Sequence, residues 1–202
     1  MTLVKICGLQ NEQDIKSAVS VKVDFVGFVF ATSKRQITME TAAKLVKELP
    51  GSIKKVGVFV NPTLEEVKEA INKVPLDLVQ LHGEETGNFI EQIPIPTIKA
   101  IKIVNGKPNV AIGDYPKSMI LLDAPTPGDG KTFSWDKTDL AILPKERLII
   151  AGGLQAANVQ AAIHYFHPLA VDVSSGVETN QQKDPQKINA FIKAVKESEN
   201  EL

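Results

Sequence analysis

Short apolar runs rich in Val, Ile and Phe recur roughly every 25 residues along this 202-residue chain. They occupy residues 3–7, 24–30, 55–60, 76–82, 97–103, 118–123, 147–151 and 169–173, each a strand length. Most are continuously apolar rather than alternating, as in parallel strands covered on both faces. Between them the sequence predicts helices at 11–19, 38–49, 63–72, 85–92, 156–165 and 185–196. Thr38 reads as an N-cap, with Ala42, Leu45, Val46 and Leu49 on one stripe. Thr63 and Glu66, after Pro62, form a capping-box pattern. Residues 105–116 and 124–136 are rich in Gly and Pro and are expected as loops, with at most a short helix near 136–140. Eight strand–helix repeats predict an α/β fold, a single-domain (βα)8 TIM barrel over residues 1–202, with short or irregular fifth and sixth helices. The alternative is a doubly wound open sheet, but Gly-x-Gly-x-x-Gly is missing after the first strand.

Charge narrows the partners. The formal net charge is -1, with no clustered basic surplus for nucleic acid or anionic lipid. Lys99, Lys102 and Lys107 are interspersed with apolar residues and read as a solvated face. Cys7 is the single cysteine, so neither an intramolecular disulfide nor a Cys-pair metal site is possible. No His, Asp or Glu cluster has ligand spacing, and no metal is expected. The first residues lack the basic and long apolar regions of a secretory leader. No run approaches the ~18–20 apolar residues of a membrane span. A cytoplasmic location is expected.

In such a barrel the chemistry sits where strands end. Those positions hold Cys7-Gly8, the stretch from Phe30 to Arg35, Asn61, Gln80, His82-Gly83, Asp123, Gly152-Gly153 and the stretch from Asp172 to Gly176. Gly152-Gly153 after the seventh strand and Ser174-Ser175-Gly176 after the eighth are in the usual place for a barrel phosphate, with glycines admitting close backbone approach. Cys7 is either a small buried hydrophobe or a thiolate base. Asp123 is expected at the barrel mouth or in a turn, and the two together suit an acid–base pair. Arg35 suits a carboxylate, though a lone arginine is more often a solvated charge. His82 is either a ligand-facing donor or a packing residue, while His164 and His167 read as structural. Ser174 and Ser175 show no triad pattern.

These strand-end residues together resemble the phosphoribosylanthranilate isomerase family. The stretches that carry the resemblance are Lys5-Ile6-Cys7-Gly8-Leu9, Gly27-Phe28-Val29-Phe30 with Ser33-Lys34-Arg35, Val56-Gly57-Val58-Phe59-Val60 and Val79-Gln80-Leu81-His82-Gly83. They continue with Leu121-Leu122-Asp123, Gly130-Lys131-Thr132-Phe133-Ser134-Trp135, Ala151-Gly152-Gly153-Leu154 and Val171-Asp172-Val173-Ser174-Ser175-Gly176-Val177-Glu178. The order is kept from residue 4 to Lys183-Asp184. The resemblance implies a barrel without cofactor or metal that performs an Amadori rearrangement on a small phosphorylated substrate, as a monomer or homodimer. It implies Cys7 as general base, Asp123 as general acid and Arg35 on the anthranilate carboxylate. Gly152, Gly153, Ser174, Ser175 and Gly176 are expected on the phosphate, with His82 and Asp172 also in the substrate site. The base must be thiolate and the acid protonated, each the minority state near neutral pH for an unperturbed group; Lys5 is a candidate helper of the thiolate.

One departure lies after Asp123. Asp129 stands where many relatives are small or hydroxylic, which bears on the loop rather than on the reaction. Two rivals remain. The related aminoaldose isomerase of histidine synthesis would carry acids at the ends of strands one and five, where this chain has Cys7 and no obvious carboxylate; a pentose-phosphate epimerase is a variant of that reading. A non-catalytic phosphate-ligand binder would dispense with Cys7 and Asp123.

Overall fold

The computed structural model describes residues 1–104, 106–124, 135 and 140–199. Among them, eight parallel strands form a closed ring. They are β1 Leu3–Cys7, β2 Phe25–Val29, β3 Lys54–Phe59, β4 Leu78–Leu81, β5 Thr97–Val104, β6 Met119–Asp123, β7 Leu148–Ile150 and β8 Ala170–Val173. Each pairs in parallel with its sequence neighbour, and β8 closes on β1 through Leu3↔Ala170 to Ile6↔Val173. The open-sheet alternative falls, because β1 is hydrogen-bonded on both edges.

Six α-helices lie among the described residues: α1 Glu12–Ser20, α2 Met39–Leu45, α3 Leu64–Lys73, α4 Gly87–Ile90, α5 Val159–Phe166 and α6 Pro185–Glu199. The capping signals act as expected. Thr38 accepts from the Thr41 N–H, and Thr63 and Glu66 make the reciprocal capping box. The helix expected over 38–49 is α-helical only to Leu45, then tightens to a 3-10 turn over Val46–Glu48. The fifth crossover and the described part of the sixth are irregular. The fifth contains the two-residue strand Lys107–Pro108, antiparallel to β5, and a 3-10 turn at Ile112–Asp114. The described part of the sixth has 3-10 turns at Leu140–Ile142 and Lys145–Arg147. Asp129 lies outside the described residues. His164 and His167 are on the outer shell; His167 ends α5 in the left-handed region, φ 46°.

Strand alternation sorts side chains into two cores. Outward residues such as Ile6, Val26, Phe28 and Val171 pack under the helices. Inward residues, among them Phe25, Val58, Ile98, Leu121 and Ile149, fill the barrel. One outward lysine corrects the solvated-face reading. Lys99 is 1% exposed and ion-paired to Glu85 at 2.8 Å. Its Nζ also donates to the Gly83 carbonyl at 2.7 Å, and Glu85 accepts from the Asn61 and Gly83 N–H groups. Burying that charge is tolerable because it is paired and hydrogen-bonded; the result fixes the loop after β4.

Candidate active site

Cys7 is the last residue of β1, and the two-residue period turns it inward with Lys5. Register places Cys7 beside Gly27, and Lys5 between Phe25 and Asp172. A Cβ at Gly27 would come within 2.7 Å of Cys7 Sγ and 3.2 Å of Lys5 Nζ, so both polar ends occupy space that only glycine leaves. Lys5 is fully buried and pairs with Asp172 Oδ1 at 3.0 Å. Burial pulls its pKa down, yet Asp172 and the neighbouring sulfur outweigh that and raise it. Burial pushes the Cys7 thiol up, and Lys5 only partly offsets it. Lys5 is therefore the neighbour that most favours the ionised form of the sulfur.

Asp123 ends β6 two residues after inward-facing Leu121, so it too faces the interior. Its Oδ1 accepts the Ala124 N–H at 2.7 Å. Its Oδ2 stands 3.2 Å from His82 Nε2, although the ring nitrogen is not aligned for a hydrogen bond. Gln80, inward-facing on β4, reaches His82 Nδ1 at 3.5 Å. His82 therefore lies between Gln80 and the carboxylate of Asp123.

Arg35 comes from the loop after β2 and its stem lies over Gly8, where a Cβ would approach its Cδ to 2.5 Å. It is not a solvated charge. Nε and Nη2 make a two-pronged contact with Glu178 at 2.7 and 2.9 Å. Lys183 Nζ donates to the same carboxylate at 2.7 Å. Burial alone would push the Glu178 carboxyl up, but the two cations hold it down at about 2.

The two glycine-bearing loops adjoin. Gly152 and Gly153 have φ 79° and 67°, a left-handed pair suited to glycine. Among the described residues their N–H groups have no hydrogen-bond partner. Gly176 packs against the Leu154 carbonyl, where a Cβ has no room. Ser175 and Gly176 lie in a single 3-10 turn. Ser174 Oγ donates to the Cys7 carbonyl at 2.9 Å and Lys183 holds the Ser174 carbonyl at 3.1 Å. Asp172, also expected in the substrate site, accepts from Lys5 Nζ through Oδ1 at 3.0 Å.

Glu178 and Lys183 were not singled out by the sequence reading, although both lie within the resembling stretch. The available signal was an acid and a base five residues apart across Asn180-Gln181, whose φ values of 51° and 65° make the tight turn joining Glu178–Thr179 to Gln182–Lys183.

The sequence profile described as N-(5'phosphoribosyl)anthranilate (PRA) isomerase matches residues 4–194. An N-(5'-phosphoribosyl)anthranilate isomerase of Listeria monocytogenes is 55% identical over 198 residues, covering 96% of this chain and 98% of that protein. The phosphoribosyl anthranilate isomerase structure from Thermus thermophilus superposes with TM-score 0.89 at 31% identity, covering 97% and 99% of the two chains. A second isomerase structure, in complex with reduced 1-(o-carboxyphenylamino)-1-deoxyribulose 5-phosphate, gives TM-score 0.81 at 37% identity, covering 98% and 100%. The rival reactions and the non-catalytic reading fall with these matches. No helix among the described residues is long and apolar enough to cross a membrane.

Proposed function

The chain belongs to the N-(5'-phosphoribosyl)anthranilate isomerase family, and on that premise we propose that Cys7 and Asp123 are the base and acid of its reaction. The enzyme converts N-(5'-phosphoribosyl)anthranilate to 1-(2-carboxyphenylamino)-1-deoxyribulose 5-phosphate in tryptophan biosynthesis. The observation that carries the assignment is that both side chains end inward-facing strands at the carboxyl end of one barrel.

Asp123 donates its proton to the ribose ring oxygen while the anilino nitrogen lone pair forms the C1′ iminium, and the C1′–O bond breaks. The Ala124 N–H occupies Oδ1, so the transferred proton belongs on Oδ2, beside His82. The iminium makes the C2′ proton acidic. Cys7, as thiolate, removes it and leaves an enolamine. A proton then adds at C1′ as the C2′ hydroxyl gives up its own, which produces the ketone. Lys5 and the new iminium are both cations near the sulfur, and both favour thiolate at the moment it is needed.

Arg35 takes the anthranilate carboxylate. Gly152, Gly153, Ser174, Ser175 and Gly176 hold the phosphate, with backbone N–H groups as donors. Asp172 keeps Lys5 in place below the thiol. The enzyme works in the cytoplasm as a monomer or homodimer. Mixing the purified protein with freshly made phosphoribosylanthranilate and following anthranilate fluorescence tests the reading. A rate above the spontaneous one, abolished in Asp123→Asn, is expected; an unchanged rate in that variant overturns the role given to Asp123.

A further inference from the structure

The substrate carries a carboxylate at one end and a phosphate at the other, yet the arginine assigned to the carboxylate already touches an internal acid. Glu178 takes the Nε and one Nη2 hydrogen of Arg35 along one edge of the guanidinium. Nη1 and the second Nη2 hydrogen form the other two-pronged edge, which Glu178 does not use. The same carboxylate binds Lys183, which holds the carbonyl and hydroxyl of Ser174, and Ser174 bonds the Cys7 carbonyl. Glu178 and Lys183 are nearly completely buried, at 6% and 2% side-chain exposure. One carboxylate between two cations leaves a net positive charge, the sign an anionic ligand needs.

We propose that Glu178, braced by Lys183, is a positioning residue that presets the free edge of Arg35 for the substrate carboxylate and fixes it relative to the phosphate loop. The inference rests on the reading of Arg35 given above. An arginine held only by its own flexible stem loses rotamer freedom on binding; one already seated on Glu178 has lost it beforehand. The hairpin that carries Glu178 directly follows the loop at Ser174, so the carboxylate end and the phosphate end share one support.

The test measures dissociation constants for two ligands by titration calorimetry. One is the reduced product analogue with its ring carboxylate; the other is the same compound with a plain phenyl ring. The proteins are wild type, Arg35→Met, Glu178→Gln and the double variant. Arg35→Met is expected to lose about ten- to hundredfold on the carboxylated ligand and little on the plain one. Glu178→Gln is expected to lose a similar preference, and the double variant to be no worse than Arg35→Met. Equal weakening of both ligands by Glu178→Gln, or additive losses in the double variant, reduces Glu178 to a structural role and overturns the proposal. Tighter binding of the carboxylated ligand also overturns it, since Glu178 would then be a competitor. If Arg35→Met leaves the preference intact, the Arg35 reading itself fails and the proposal falls with it. If Glu178→Gln does not fold, Glu178→Asp, which keeps the charge but shortens the reach, carries the same comparison.

Discussion

His82 Nε2 stands 3.2 Å from Asp123 Oδ2, close enough to receive or support a proton without being aligned for a hydrogen bond. Catalytic hydrogen bonds often tighten only once the substrate is bound. On the proposed acid role of Asp123, His82 is expected to stabilise the carboxylate that remains after proton transfer. His82→Phe keeps the bulk and removes that donor. A charge-assisted hydrogen bond is worth about 1.5–3 kcal/mol, so steady-state kinetics should show kcat lower by about ten- to hundredfold with KM little changed. An unchanged kcat removes His82 from the mechanism.

Cys7→Ala and Asp123→Asn each delete one proposed proton-transfer group. Each is expected to lower kcat by about 10²–10⁴, while binding of the reduced product analogue stays near wild type. A variant that turns over normally contradicts its assignment.

Gly27→Ala tests the space beneath the thiol. The added methyl would sit 2.7 Å from Cys7 Sγ and 3.2 Å from the Cys7 Cα, and the backbone atom cannot move aside easily. Overpacking of this kind costs about 1–3 kcal/mol in stability. The displaced sulfur should lower kcat by more than the stability change accounts for, measured well below the unfolding transition.

Lys5→Met leaves Asp172 buried without its partner, at a cost of about 3–5 kcal/mol in denaturant unfolding. Lys5→Met with Asp172→Leu should recover much of that loss, because neither charge is then stranded. The Lys5 pKa is raised in the folded state, so its stabilisation is complete below the ordinary value of 10.5 and fades as pH rises through the folded value. The gap between wild type and Lys5→Met should therefore hold steady around neutral pH and narrow only under alkaline conditions. Alkylation of Cys7 by iodoacetamide should also slow at a given pH, since the cation that favours thiolate is gone.

Glu178 gives an acid-limb prediction. Its carboxyl falls from an ordinary 4.5 to about 2 on folding, so its contribution is present above 4.5 and lost as pH falls towards 2. Glu178→Gln should unfold at lower denaturant than wild type at neutral pH, and the two should converge near pH 2. Parallel curves across that range would show that ionisation of Glu178 is not what stabilises the fold.

The barrel was legible because its signals are local. Continuous apolar runs, N-cap threonines and the Thr63–Glu66 capping box act over a few residues, and neighbouring residues decide them. Strand ends likewise place Cys7, Asp123 and the two glycine-bearing loops at one rim of the barrel. The ends of elements were less legible: α2 stops at Leu45 rather than running to 49, because a 3-10 turn continues the same apolar stripe.

What each charge touches was decided only by the closed barrel. Lys5 meets Asp172 across 167 positions of sequence, and Arg35 meets Glu178 across 143. Lys99 reads as solvated because apolar residues interrupt the Lys-rich stretch around it, but a glutamate from the preceding loop makes its burial tolerable. Local patterning suffices for the repeat, the inward face and the residue types available at the mouth. Their partners follow only from the closed barrel, because an ion pair depends on distance and desolvation in three dimensions, and neither is encoded in the spacing of the two residues along the chain.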